Sequence, residues 1–220
     1  TPLYSSAASD VYKRQGYGQY TSTGNTLTIN SGTGAATITG GTTGLTGLTI
    51  NSSSSSSIIN GAITGATNLV KTCIGTCVPV TVTSTNRNTV NGTLTLVANN
   101  TYTGTTTISS GTIQVGNNTT TGTIGVGALT NDGNLAFNRS NAVSYNATLS
   151  GSGSVTQNGT GILTLGGNNT YQGGTFITDS GNKRINVTHA NGLGGSNSGL
   201  VSIGTTGIIC LLYTSDAADE

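Results

Sequence analysis

The sequence is poor in charge, since only 6% of its 220 residues are Asp, Glu, Lys or Arg, against about 25% in an ordinary globular domain. It has no Trp, no Met and only two Pro, and Glu, Lys and Arg, which favour helices, are scarce. Long helices are therefore not expected. The few basic residues are scattered, which excludes the basic stripe of a nucleic-acid interface. No apolar run reaches the length of a membrane helix, about 18 to 20 residues.

Threonine and glycine dominate what remains: Thr makes up about a fifth of the chain, and there are 35 Gly. An apolar content of 33% is low enough for disorder, but disordered chains usually combine low hydrophobicity with high net charge, and this chain is formally +1. Leu, Ile and Val also alternate regularly with polar residues. The composition therefore favours an all-β fold built from repeated structural units, each of which needs only a few apolar residues.

One phrase of the sequence occurs twice, first over 94–108 and again over 163–177, with the same spacing inside each copy. Its signature residues in the first and then the second copy are Leu94, Leu96, Asn100, Tyr102, Gly104, Leu163, Leu165, Asn169, Tyr171 and Gly173. A shorter echo runs from Leu27–Ser31 to Leu48–Ser52. Its period, roughly 20 to 25 residues, suits one coil of a β-solenoid and is too short for helix-pair repeats, which need about 33 to 47. The longer offset then corresponds to three coils with one lengthened loop.

Alternation within the repeat predicts short strands whose apolar side chains point inward, with Leu94, Leu96, Ile113, Val115 and the second-copy leucines lining a common interior. Asn and Gly are expected at the corners because they tolerate positive φ. Parallel crossovers are nearly always right-handed. The sequence therefore predicts a right-handed parallel β-helix of roughly nine short coils over residues 16–209.

Both ends of the chain differ in composition from the middle. Residues 1–15 and 210–220 hold six of the thirteen charged residues, and neither segment is rich in Thr, Gly and Asn as the middle of the chain is. Both resemble translated sequencing-adapter read-through, so we expect them to be non-native segments and the natural fragment, 16–209, to come from a longer protein.

With these residues in view, the chain resembles the passenger region of bacterial autotransporters, the type V secreted proteins. The family repeat reads Gly-Thr-Leu-Thr-Leu, then Asn-Thr-Tyr-Thr-Gly-Gly-Thr-Thr-Ile, then Gly-Thr-Leu-x-Val-Gly. The match is strong over 92–178 and weaker over most of 16–209. Residues 181–185 depart from the pattern, so there is little support for a strand there.

The resemblance implies a β-helical stalk that crosses the outer membrane through the protein's own C-terminal β-barrel. It further implies secretion or display at the surface of a Gram-negative bacterium, and a repeat that assists passenger export. We expect no cofactor and no small-molecule substrate. Adhesion to glycans or proteins of host or neighbouring cells is an additional expectation, with Pro79–Asn91, which fits no repeat, as the candidate binding loop.

Candidate chemical sites are few. Cys73 and Cys77 could form a small disulfide loop if the segment turns at Gly75, or could be ordinary positions with Cys77 as an inward hydrophobe. His189 is the only histidine, so no metal site is expected. Within 16–209 the only carboxylates are Asp132 and Asp179, which are interpreted as turn residues; the sequence therefore predicts no catalytic pair and no enzyme.

Outward Thr-x-Thr pairs suggest a second class of function. They resemble the Thr arrays of ice-binding β-solenoids, and the alternative function is therefore an ice-binding module, or an adhesin of another secretion route. Solvated strand faces are the preferred interpretation, because β-branched polar residues are good strand formers. The pairs are Thr26/Thr28, Thr37/Thr39, Thr81/Thr83 and Thr93/Thr95.

Overall fold

The computed structural model describes residues 19–23, 26–32, 37–38, 46–52, 57–65, 68–72, 92–178, 181–195 and 199–213. Within these ranges every regular element is a β-strand, and no helix is present that could cross a membrane. The strands are β1 (Gln19–Thr23), β2 (Thr26–Gly32), β3 (Thr37–Ile38), β4 (Gly47–Ser52), β5 (Ser57–Ile59), β6 (Asn68–Thr72), β7 (Thr93–Leu96), β8 (Thr106–Ile108), β9 (Thr112–Thr119), β10 (Leu129–Asn131), β11 (Asn134–Arg139), β12 (Val143–Tyr145), β13 (Leu149–Ser150), β14 (Ser154–Gln157), β15 (Ile162–Leu165), β16 (Thr175–Ile177), β17 (Arg184–Val187), β18 (Val201–Ile203) and β19 (Ile208–Leu211).

The strands form three sheets that run along the molecule. Their orders are β1-β2-β4-β6-β8-β10-β13, β18-β16-β14-β11-β9-β7-β5-β3 and β12-β15-β17-β19, and we call them the seven-, eight- and four-stranded sheets. Among the described strands only β1 and β2 pair antiparallel. The chain passes from sheet to sheet and returns to each one turn later, as β11, β12, β13 and β14 illustrate. The fold is a parallel β-solenoid, which confirms the predicted all-β class; its right-handedness stays a prediction.

The length of one turn varies along the solenoid. The short echo is confirmed as one turn, because Leu27 pairs with Leu48 in parallel register. Farther on, a much longer stretch of chain separates Ile58 from its partner Thr95. The eight-stranded sheet takes one strand from each coil, so the described strands make eight coils rather than the roughly nine expected. The expected number was too high because it gave every turn the length of the short echo, whereas long connections take up part of the chain.

Columns of like side chains, one from each turn, fill the interior. In the eight-stranded sheet Leu94, Ile113, Leu135 and Val155 stack in register, and each is fully buried. A buried Leu, Ile or Val contributes about 1.5–3 kcal/mol. One turn holds only a few such residues, so the stability of the solenoid is collective.

A strand also forms where the repeat pattern offered little support for one. In β17, Ile185 and Val187 are buried, and the strand pairs with β15 on one side and β19 on the other. Two apolar side chains at alternate positions are sufficient here, because strands of the adjacent turns supply the backbone partners.

The two copies of the repeated phrase lie on different faces of the solenoid. The first begins with β7 in the eight-stranded sheet, and the second with β15 in the four-stranded sheet. Leu94 accordingly stacks on Ile113, whereas Leu163 stacks on Val143. All of these leucines line the interior, as expected, but the interpretation of the longer offset is wrong. The offset is three turns, from β7 to β14, plus one step to the next face.

Candidate functional site: the asparagine–tyrosine corner

Both copies of the phrase nevertheless fold into the same local structure. We call residues 97–105 and 166–174 the asparagine–tyrosine corners; the first connects β7 to β8, and the second connects β15 to β16. The central asparagine and tyrosine of each corner are buried, although the corner itself is a loop. A buried loop needs partners for its backbone polar groups, and the signature side chains supply them.

In the first corner, the amide of Asn100 links three successive turns. Its Oδ1 accepts a hydrogen bond of 2.7 Å from the backbone N–H of Ile63, one turn earlier. Its Nδ2 donates a hydrogen bond of 2.5 Å to the carbonyl of Thr123, one turn later. The Thr123 hydroxyl in turn bonds the backbone of Asn100, with distances of 2.7 and 2.8 Å. The amide therefore substitutes for ladder bonds where the sheet is interrupted.

Asn169 makes the equivalent contacts in the second corner. It accepts from the N–H of Leu149 (3.0 Å) and donates to the carbonyl of Gly192 (2.7 Å). Neither corner asparagine has a positive φ; among the described non-glycine residues only Asn118 does. The expectation that these asparagines occupy corners because they tolerate positive φ is therefore wrong. The corner requires their side-chain amides.

The signature tyrosines fill the interior beside each corner. Tyr102 and Tyr171 are fully buried, and their hydroxyls are hydrogen-bonded to the hydroxyls of Thr106 (2.7 Å) and Thr175 (2.5 Å). Burial raises the pKa of Tyr102 to about 12 and also raises the pKa of Tyr171, because a buried phenolate would lose its hydration. Each tyrosine therefore brings a large apolar ring into the core with its hydroxyl already paired.

The signature glycines lie where the backbones of adjacent turns approach most closely. A Cβ on Gly127, one turn after Gly104, would lie 2.2 Å from the carbonyl oxygen of Gly104. A Cβ on Gly173 would lie 2.5 Å from the carbonyl carbon of Gly153. Gly173 belongs to a column of glycines from successive turns, in which the backbone of each glycine lies close to the backbone of the one before it. We call this set the glycine column; its members are Gly111, Gly133, Gly153 and Gly173.

Among the described residues, Asp132 and His189 are the two that the sequence analysis considered for a chemical role, and hydrogen bonds hold both of them. Asp132 Oδ1 accepts hydrogen bonds from the backbone N–H and the hydroxyl of Ser152, at 2.9 and 3.0 Å, and thus links two turns. His189 Nδ1 accepts a hydrogen bond of 3.0 Å from the N–H of Asn191. In the part of the chain that the structure describes, no three His, Cys, Asp or Glu residues are grouped as metal ligands.

Several sequence predictions lie outside the described residues. These are Cys73 and Cys77, Asp179, and the candidate loop Pro79–Asn91. Cys210 is described, in β19, where it is a free and half-buried thiol. The division of the chain into residues 16–209 and two non-native ends stays a prediction.

Sequence reasoning missed the buried cations. Arg139 donates to the carbonyls of Gly122 (2.6 Å) and Thr120 (2.5 Å) and, through Nε and Nη2, to the side-chain oxygen of Asn141 (3.0 and 2.8 Å). Burial lowers its pKa. Neutral oxygens thus hold a guanidinium that fixes the loop after β9. The sequence offered no signal for this role, because the acceptors are mostly backbone carbonyls.

Lys71 occupies an interior position of β6 that apolar residues hold in adjacent turns. It is fully buried between Ile50 and Ile108 of neighbouring strands, and its Nζ donates a hydrogen bond of 2.7 Å to the carbonyl of Thr72. Burial lowers the pKa of Lys71 to about 8, because the ammonium loses hydration. The strand alternation, which places position 71 on the same face as Leu69, was the available signal.

We expect Lys71→Met to stabilise the protein at neutral pH. The pKa of about 8 in the fold lies below the ordinary value of 10.5, so the unfolded chain binds more protons between these values, and the free energy of unfolding of the wild type rises with pH across that window. The substitution should therefore add about 1–3 kcal/mol at pH 7, and much less at pH 10. Urea denaturation at both pH values measures this. An equal gain at both would contradict the electrostatic explanation.

Comparison with known proteins finds the corners inside a recognised repeat. Residues 91–115 and 155–181 match the family model described as passenger-associated-transport-repeat. A stretch of 62 residues, 28% of this chain, is 44% identical to the adhesin BmaC autotransporter of Brucella suis biovar 1 (strain 1330). The chain spans about 2% of the length of that relative. No solved structure matches the chain significantly.

Proposed function

We propose that this chain, which carries the passenger-associated-transport repeats of autotransporters, is a β-helical stalk that supports passenger export and surface display in a Gram-negative bacterium. The observation that carries the proposal is the asparagine–tyrosine corner, present in both family matches. Its asparagine side chains bond to adjacent turns of the same protein, as expected of a structural repeat rather than an enzyme. In this proposal the partner is the protein's own C-terminal outer-membrane β-barrel.

The physical basis for export support is the turn-by-turn construction of the solenoid. Each new turn finds a preformed register of backbone groups and an apolar column on the turn already folded. The corner asparagine bonds to the turn before it and the turn after it, so each addition holds the last turn in place. A chain that folds in this way outside the cell is stabilised against return through a narrow channel.

Surface display in a Gram-negative host tests the proposal. The chain is placed between a secretion signal and an outer-membrane β-barrel, and its exposure on intact cells is measured by protease accessibility, normalised to the amount of barrel. A Gly/Ser linker of equal length and the Asn169→Ala variant are the controls. We expect the wild-type chain to be exposed several-fold more than either control. Equal exposure of all three would contradict a role in export.

Adhesion is a second candidate, favoured by the name of the relative, which is an adhesin. The proposed ligands are glycans or proteins of host or neighbouring cells. Cells that display the chain should then bind host cells or one another more than cells that display the linker. Equal binding would contradict adhesion by this part of the passenger.

The ice-binding alternative receives little support from the threonine faces. Among the four Thr-x-Thr pairs, only Thr93/Thr95 has both side chains within the described part of the structure, and Thr95 is buried. A buried hydroxyl cannot present a flat array to ice. The stalk proposal therefore remains the preferred one, and no thermal hysteresis is expected from the purified chain.

A further inference from the structure

The end of β9 contains an insertion that the next turn lacks. Beyond Val115 the register of β9 with β11 shifts, and residues 116–118 lie opposite Asn138 alone. The pairing of β11 with β14, one turn later, runs without such a shift. We call residues 116–121 the β9 bulge. Because a bulge interrupts the ladder and redirects side chains, it is usually retained for a local purpose.

The β9 bulge holds Asn118 at the surface in an uncommon backbone conformation. Its φ of 56° is the one positive value among the described non-glycine residues, and residues 117–121 are all exposed. The backbone around it is nevertheless fixed. The carbonyl of Thr120 accepts a hydrogen bond of 2.5 Å from Arg139, and that of Thr119 accepts one of 3.0 Å from the backbone of the next turn. An anchored and exposed residue with uncommon φ is a candidate for a function outside the ladder.

The residues of the bulge spell an acceptor sequence for asparagine-linked glycosylation. This sequence is Asn-x-Ser/Thr, in which x is any residue but proline, and Asn118-Thr119-Thr120 fits it. Within the described part of the chain, neither the amide of Asn118 nor the hydroxyl of Thr120 has a hydrogen-bond partner. Both side chains that define the sequence are therefore accessible to an enzyme.

The same three-residue pattern recurs in this chain, and the structure distinguishes the copies. The amide oxygens of Asn99 and Asn168 each accept a hydrogen bond, at 3.1 and 2.8 Å. For Asn117 the hydroxyl two residues on is paired with that of Thr121, at 3.3 Å. The amide of Asn146 lies against the next turn, where its oxygen would be 2.4 Å from a Cβ on Gly166. The remaining copies in the described part of 92–195 begin at half-buried asparagines, which are Asn138, Asn158 and Asn186.

We propose that Asn118 is a site of asparagine-linked glycosylation. The donor is a sugar whose anomeric carbon is activated by a diphosphate, carried by a nucleoside or by a membrane lipid. Transfer forms a bond between Asn118 Nδ2 and the anomeric carbon. The bond from that carbon to the diphosphate oxygen breaks, the diphosphate leaves with the electron pair, and one amide proton passes to a base of the transferase. The inference does not depend on the role proposed for the stalk in export.

Two arms test the proposal and separate the two donors. The purified folded chain is incubated with uridine diphosphate glucose and a soluble asparagine glucosyltransferase, or the chain is coexpressed with a periplasmic oligosaccharyltransferase and its lipid-linked oligosaccharide. Intact mass and peptide mapping locate the glycan. In at least one arm we expect Asn118 to carry most of it, and Asn118→Gln and Thr120→Val each to lower incorporation about tenfold or more. Asn168→Gln is the matched control and should leave incorporation unchanged.

Thr120→Val keeps the test informative if glutamine at a positive φ loosens the bulge, because it leaves Asn118 in place. Peptides from a digest of the chain present every copy of the sequence without the fold, and we expect several of these copies to be modified in them. A folded chain without glycan in both arms would overturn the proposal, even if the peptides are modified. So would occupancy of another copy equal to that of Asn118, or incorporation that Thr120→Val does not reduce.

Discussion

Asn169→Ala is expected to lower the free energy of unfolding by about 2–5 kcal/mol. The substitution leaves the N–H of Leu149 and the carbonyl of Gly192 without their partner, and each buried unpaired group costs about 1–3 kcal/mol. Urea denaturation measures the loss. Amide hydrogen exchange should show faster exchange at Leu149 in particular, because that N–H has lost its acceptor.

The neighbouring asparagine provides the matched control. Asn168 is exposed, and its side-chain oxygen accepts a hydrogen bond of 2.8 Å from Asn191 on the surface. Asn168→Ala should therefore change stability by no more than about 0.5 kcal/mol. Asn169→Asp separates the two bonds of the buried amide, since it keeps an acceptor for Leu149 but loses the donor to Gly192. Equal losses at positions 168 and 169 would contradict the turn-linking role.

Gly153→Ala is expected to destabilise the solenoid by about 3 kcal/mol, the upper part of the range for overpacking. A Cβ at this position would lie 2.3 Å from the carbonyl oxygen of Gly133 in the glycine column. The obstacle is backbone that is itself bonded to the next turn, through the N–H of Ser154 at 3.0 Å, so it cannot move aside without cost. Thermal and urea denaturation measure the loss.

Gly195→Ala is the control for the glycine column. The nearest atom to a Cβ at Gly195 is the carbonyl oxygen of Asn169 at 3.9 Å, an ordinary contact. This substitution should be neutral or slightly stabilising, because alanine restricts the unfolded chain more than glycine does. If Gly153→Ala were equally harmless, the close approach of the turns would not be what selects glycine there.

The corner shows how far sequence reasoning extends. The signature residues are visible as a repeat, and the inward position of their leucines follows from the alternation of apolar and polar residues. The role of Asn100 and Asn169 does not, because their partners lie a full turn away along the chain, at positions such as Ile63 and Gly192 that no local pattern connects to them. Propensity suggested a backbone reason for these asparagines, whereas the fold uses their amides.

Lys71 and Arg139 illustrate a second limit. Alternation places position 71 inward, but the general rule that charges stay outside opposes that interpretation. The structure accommodates both cations because carbonyl oxygens of the solenoid backbone are available inside or beside the core. Such acceptors have no signature in sequence, since every residue carries one.

The strands, the short period of a single turn and the inward leucines follow from the sequence alone, because alternation and short repeats are local properties of the chain. The face that each copy of the repeat occupies was decided only by the tertiary structure. The offset between the two copies can be divided between whole turns and steps around the axis in more than one way. The division depends on the lengths of all the intervening connections, which only the folded solenoid brings into register.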